Sequence, residues 1–412
     1  MTWGASVQRG ARGDGGDLTI NTSRLLLSDG AQINASTFGE GNAGNLTVTA
    51  TESVEAIGTS ADGQFASGLL ASVESGARGD GGDLSITTAR LLVRDGAQIS
   101  ASTFGEGNAG NLTVTATESV EAIGRTADGQ FASGLFASVD SGARGDGGDL
   151  SITTARLLVG DGATIGASTG GEGNAGDLTV RADELVALNG GSTLRVRVGS
   201  EGRGNGGTLR LLTGNLVIRE DSDIAVSGLG TGNAGNLIVT ADSILLDNQS
   251  SLEAEVRAGN QGNIFLTSDT LTLRRGSLIT ASAFEEATGG NISITTNTLA
   301  ALENSDISAN AQQAFGGRIS ITAEGIFGTQ FRDFPTLESD ITASSELGPE
   351  FSGTVELLTP DIDPAQGLIQ PPPILNAEGL LGQDFCSIVG DSEFIYTGRG
   401  GIPPRSLRSA GR

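Results

Sequence analysis

Residues 35–58 read ASTFGEGNAGNLTVTATESVEAIG, and residues 101–124 repeat them without one change, a shift of 66. The turn GARGDGGDL recurs with the same shift at residues 10–18, 76–84 and 142–150. Identity at polar and apolar positions alike marks recent duplication, so a residue copied with its block gains no functional weight from being repeated. Inside the block lies a shorter unit. A Gly-rich turn followed by an apolar, alternating strand begins at Leu18, Leu46, Leu84, Leu112, Leu150, Leu178, Leu209, Leu237, Ile264, Ile292, Ile319 and Val355. Most steps are 27–31 residues, and the longer ones carry insertions such as residues 59–67 and one after Ile319. A period of this length belongs to solenoids and other stacked arrays.

Each unit reads as three short strands. In one coil they are Leu237-x-Val239, Ile244-x-Leu246 and Leu252-x-Ala254; in a later one, Ile292-x-Ile294, Leu299-x-Ala301 and Ile307-x-Ala309. Alternation of period two within each segment, with Gly, Asn and Asp at the joins, argues for strands and tight turns and against helix. Strands this short cannot bury a face alone; coiling and stacking them solves the problem. The expected fold is therefore all-β: a right-handed parallel β-helix of about twelve three-strand coils over residues 1–358. Near-identical 66-residue blocks run to about residue 165, and coils of 27–31 residues follow. Ala35, Ala101 and Ala281 suit a narrow interior. Ile294, Ala301 and Ile307 are expected to point inward, Ser293 and Ser308 outward. At about 4.8 Å between strands the rod would be on the order of 55–60 Å long. A β-propeller blade needs four antiparallel strands and about 40 residues, which this unit does not supply. From Thr359 the pattern stops. Seven of the nine prolines lie between Pro360 and Pro404, so residues 359–412 read as a Pro-rich tail or cap.

Composition removes whole classes of chemistry. The 412 residues include 65 glycines and only 4% aromatics, and with neither histidine nor lysine all 24 cations are arginine. Ser-His-Asp and Cys-His catalysis, His-ligated zinc, Schiff-base lysine and the Walker lysine are all excluded. A net charge of −25 argues against nucleic acid and anionic membrane as partners. Cys386 is the single cysteine and makes no internal disulfide. No run of 18 apolar residues is present, so no membrane insertion is expected, and no cofactor is implied.

The coil pattern G-N-L-x-V-x-A … L-x-L … G-A-x-I-x-A-S-T resembles the repeats of filamentous-haemagglutinin-type exoproteins of two-partner secretion, over about residues 5–356. The ending Cys386 … Phe394-Ile395-Tyr396-Thr397-Gly398-Arg399-Gly400-Gly401-Ile402-Pro403-Pro404 looks like the cyanobacterial-type terminal signature of such proteins. The resemblance implies a secreted or surface-displayed adhesin-like rod without catalysis, a secretion transporter in the outer membrane, and glycans or cell-surface receptors as partners. The chain departs from that pattern at its start. Ala5-Ser6-Val7 … Gly10-Ala11-Arg12-Gly13-Asp14 matches Ala71-Ser72-Val73 … Gly76-Ala77-Arg78-Gly79-Asp80, so it opens inside a repeat, and the expectation is a C-terminal part of a longer exoprotein. An uncapped first coil would also favour end-to-end self-association.

Several residues merit weighing as sites. RGD stands at residues 12–14, 78–80 and 144–146, but a Gly-Asp turn copied with its block outweighs receptor mimicry. Asp14, Asp17, Asp80, Asp83, Asp146 and Asp149 in the same turns are weak calcium candidates, poorly matched to the calcium-binding nonapeptide. Asp221, Asp223, Glu253 and Glu255, with Arg257 nearby, are the carboxylates a polysaccharide-cleaving β-helix would use, and that is the alternative to a non-enzymatic rod. Asn42, Asn45, Asn108, Asn111, Asn236, Asn263 and Asn291 at strand entries would stack as axial ladders. Phe65 and Phe131, with Leu69, Leu70, Leu135 and Phe136, would plug the insertions onto the coil edge or stack on sugars.

Overall fold

The computed structural model describes residues 2–259 and 262–360; the expected Pro-rich tail and Cys386 lie outside them. Twelve long strands, from Leu18–Ser28 to Thr354–Leu358, form one parallel sheet in which each strand pairs only with those before and after it. Eleven turns of a parallel β-helix separate the first from the last. Pairing is coil on coil in direct register, Leu84 with Leu112, Ser85 with Thr113 and Ile86 with Val114. A second parallel sheet stacks strands of two or three residues, among them Gln98–Ser100, Gly134–Phe136 and Thr164–Gly166. The third side is held by single parallel bridges, running Val73, Thr103, Val139, Thr169 and Val198.

One expectation is corrected. The first two of the three strands in a coil are a single bent strand, as in Leu112–Ile123. Burial alternates there through Leu112, Val114 and Ala116, breaks at Thr117 and Glu118, both exposed, and resumes with Val120 and Ala122 in the core. Two outward residues in succession carry the chain around a corner, while the register shift between Thr88 and Arg90 keeps the ladder paired on both sides of it. The turn into the short strand uses two consecutive left-handed residues. Asp95 and Gly96 have φ of 56° and 89°, and Glu220 and Asp221 both have 57°. This is the backbone of a type I′ turn, which Gly, Asn and Asp accept at least cost.

A continuous apolar core runs the length of the helix from Leu27 to Ala343. Ile294, Ala301 and Ile307 point into it, and Ala35, Ala101 and Ala281 are fully buried where the interior narrows. Glycine is abundant partly because coils touch backbone to backbone. At Gly107, φ is 140°, and a Cβ would fall 1.9 Å from the carbonyl oxygen of Gly79 in the coil before. Ser293 is half-buried on the outer side; Ser308 also faces out, as expected, but is 92% covered, with its Oγ 3.3 Å from that of Ser282. The reason is that the outer face of the short strands is recessed.

Candidate functional site

Each short strand sends its middle residue inward, among them Ile99, Leu135, Ile165, Leu194, Ile224 and Leu252, so the residues on either side face out. Stacking turns them into columns. One column reads Gln98, Gly134, Thr164, Thr193, Asp223. Its neighbour reads Ser100, Phe136, Gly166, Arg195, Ala225, Glu253. A third, two residues on, is tied by backbone amides donating to serine: Ser138 to Ser102 Oγ at 3.1 Å, Ser168 to Ser138 Oγ at 3.1 Å, and Arg197 to Ser168 Oγ at 3.0 Å. Along one wall the insertion closed by the Arg125–Ala132 bridge brings in Gln130 and Phe131. Along the other, the next corner of the coil supplies Phe104, Asp140 and Ser141. Between them lies a groove of about 740 Å³ that takes in Arg195 and Arg197.

Beyond the arginines the same columns turn acidic. Asp223, Glu253 and Glu255 are each half-buried on this face. Burial raises the carboxyl of Asp223 against the Thr193 hydroxyl, which donates to it at 2.8 Å, and against Arg197 and Arg195. Burial likewise raises Glu253, with Asp223 adding to the effect. Glu255 is pushed up to about 7, first by burial and then by the charge of Glu253. Burial lowers the Arg195 guanidinium, and Arg197 reinforces the shift. The groove therefore passes from hydroxyls and phenyl rings to two cations and then to three reluctant carboxylates.

Three of the four carboxylates singled out by sequence thus share a face, Asp223, Glu253 and Glu255. Asp221 does not join them, because it is an exposed residue of the left-handed turn before the strand. Arg257 also lies apart, exposed and 3.8 Å from Glu285. The arginines that accompany the acids are Arg195 and Arg197, which sequence reasoning missed. The signal was present: setting Arg195 over Ala225 and Glu253 at the repeat spacing puts all three in one column. Leu69 and Leu135 belong to the core, and Phe65, 55% exposed, plugs nothing. Phe131 and the outward Phe136 line the groove instead.

The six calcium candidates have a structural use. The backbone N–H of Asn42 donates to Asp14 Oδ1 at 2.9 Å, Asp80 to Asn42 Oδ1 at 2.8 Å, Asn108 to Asp80 Oδ1 at 2.9 Å, and Asp146 to Asn108 Oδ1 at 2.9 Å. A parallel ladder links Asp17, Asn45, Asp83, Asn111 and Asp149, each step 2.9 Å. The expected asparagine ladders are thus built on backbone amides here, and become amide to amide at Asn236, Asn263 and Asn291, each link 2.8 Å. Arginines of the RGD turns pair with the coil above, Arg12 with Glu40 at 2.9 Å and Arg78 with Glu106 at 3.0 Å. Among the described residues, no three Asp, Glu or Cys side chains gather as a metal site would require.

These ladders and the coil-on-coil register define a parallel β-helix repeat protein, an architecture compatible with the repeats of filamentous-haemagglutinin-type proteins. Comparison of the chain with protein-family models, with curated proteins and with solved structures found no match.

Proposed function

We propose that this chain is an adhesin-like structural rod without catalytic activity, exported by two-partner secretion to the cell surface or beyond it. The observation that carries the reading is the continuous stack of eleven turns, in which ladders of Asp, Asn and Ser fix each coil to the next. Such a stack is stiff, extends by repetition and offers a long lateral face to a partner. The resemblance of the coils and of the chain ending supports the export route, with an outer-membrane transporter as its first partner and extracellular glycans or receptors as its targets. The test has two arms. Antibody labelling of intact cells should reach the rod, and the purified protein should attach to glycan-bearing cell surfaces. Labelling only after the cells are broken open would overturn the surface location, and failure to attach would overturn the adhesive role.

A second reading is favoured by one observation. Glu255, held near 7 beside Glu253, is the kind of protonated acid and adjacent carboxylate that glycoside hydrolysis uses. New reducing ends released from a polysaccharide panel, and lost in Glu255→Gln, would establish that reading in place of the first.

A further inference from the structure

Arg195 and Arg197 are the two described arginines that are partly buried yet make no hydrogen bond or ion pair through their side chains; every other is exposed or paired. Asp223 attracts both, but the side-chain hydrogen bond it accepts comes from Thr193 and not from either guanidinium. A guanidinium stripped of part of its water and given no acceptor is unfavourable unless something else supplies one. The neighbouring positions make room for that group. Gly166 separates Phe136 from Arg195 in the outward column, and a Cβ there would come within 3.1 Å of Arg195 Cγ and 3.6 Å of its Nε. The arginine therefore lies back across the floor opened by the glycine, towards the groove. A Cβ on Gly134 would meet the Phe136 ring at 2.9 Å, so that ring also lies down along the sheet. The result is a bay with a phenyl ring at one end, a pair of guanidinium groups at the other and a glycine floor between. Hydroxyls and amides of Ser100, Ser138, Ser168 and Gln98 continue along the groove.

We propose that this bay binds a uronate-bearing oligosaccharide, its carboxylate on Arg195 and Arg197 and its sugar ring against Phe136. A planar carboxylate matches the guanidinium fork. Sugars also combine an apolar ring face with a dense set of hydroxyls, which is the combination the lining offers. The serine column Ser102, Ser138, Ser168 repeats its hydroxyl at each coil, about 4.8 Å apart and close to the length of one sugar residue, so a linear chain fits better than a branched one. The carboxyls of Asp223, Glu253 and Glu255 offer the anion no partner on the far side, so the bound chain runs from the arginines towards Gln98, where Asp140 on the wall is the one acid among hydroxyls and amides. The assignment deepens the reading of the rod as a glycan-facing adhesin, and it rests on that reading only for its biological setting.

The experiment uses the whole chain and calorimetric titration with a β-1,4-linked glucuronate hexamer, cellohexaose as its uncharged counterpart, and sulfated dextran. The glucuronate hexamer should bind at least about tenfold more tightly than cellohexaose. Arg195→Gln should remove that difference, Arg195→Lys should restore it only in part, and Gly166→Val should abolish binding by filling the bay. An unchanged melting curve establishes that a variant is folded; if Arg195→Gln is not, Arg197→Gln and Phe136→Ser make the same test. Equal binding of both hexamers, binding insensitive to Arg195 and Gly166 substitution, or no binding at millimolar hexamer would overturn the proposal. Sulfated dextran binding more tightly than glucuronate, and equally well to Gly166→Val, would overturn it in favour of charge attraction alone. Attachment to cells is measured in parallel: a rod that attaches but ignores glucuronate loses the bay, whereas a rod that does neither loses the adhesive role as well.

Discussion

Thr37, Thr103 and Thr169 alternate with Val7, Val73, Val139 and Val198 in one column, and their hydroxyls are buried without an acceptor. A buried hydroxyl that makes no hydrogen bond is a net loss against a methyl of the same shape. Thr103→Val should therefore raise stability by about 1 kcal/mol, read as a higher melting temperature; a lower one would mean that the hydroxyl has a partner in solution. The acids of the recessed face supply a second test. Glu255, at about 7, and Asp306, raised by burial to about 6, both keep protons that the unfolded chain releases near the ordinary carboxylate value. Their contribution is complete below that value and is lost as pH rises through about 6 to 7. Asp247, lowered chiefly by its hydrogen bond from Arg275, acts in the opposite sense and weakens the fold only in more acidic solution. The melting temperature should thus decline between about pH 5 and pH 8, and Glu255→Gln should flatten the slope. Equal slopes would show that Glu255 titrates normally. Inward residues such as Ile294 were legible because alternation alone fixes them. The cover over Ser308 and the approach of Arg195 and Arg197 to Asp223 were missed, since both depend on which coil stacks on which, and local pattern does not count coils.

The bent strand shows where reading by element runs out. Two segments of alternating residues, separated by two polar ones, look like two strands joined by a turn. In Leu112–Ile123 the polar pair is Thr117-Glu118; the ladder to the coils before and after skips it and resumes at Ser119, so one strand bends there without ending. No Gly or Asn interrupts the segment, and that was the available hint: the joins that do break the strand, such as Asp95-Gly96, have both residues left-handed. The Gly-rich return to the next coil was legible as a turn, but its close packing was not. Gly107→Ala places a methyl against the Gly79 carbonyl at a φ that side chains rarely adopt. It should cost about 2–4 kcal/mol and lower the melting temperature, while Ala109→Ser two residues later, at a partly exposed site, should change little. Similar losses at both positions would mean that the coils do not approach as closely as the ladder implies.

At the scale of the molecule, each coil touches only its neighbours, so stability is close to a sum of local terms. Removing residues 81–146 joins Asp80 to Gly147 in the same sequence context that it had before. Circular dichroism should keep its β signature, and the particle should shorten by two coils; loss of the signal would contradict a stack of local contacts. Removing residues 84–111, a single coil, should be far more damaging. That deletion would set Arg78 beside Arg144 and Asp80 beside Asp146, where the duplicated blocks alternate Arg with Glu and Asp with Asn. It would also bring two insertions into adjacent coils, although each now occupies space over the turn of the coil before it, Ser60 against Gly30 and Thr126 against Gly96. Within the duplicated blocks, odd and even coils are therefore unlike parts, and an arginine edge meets a glutamate edge at each step. In the duplicated part of such a rod, copying errors can add or remove coils only in pairs, so its reach there changes in increments of roughly 10 Å, a ruler graduated by the charge alternation of its own edge.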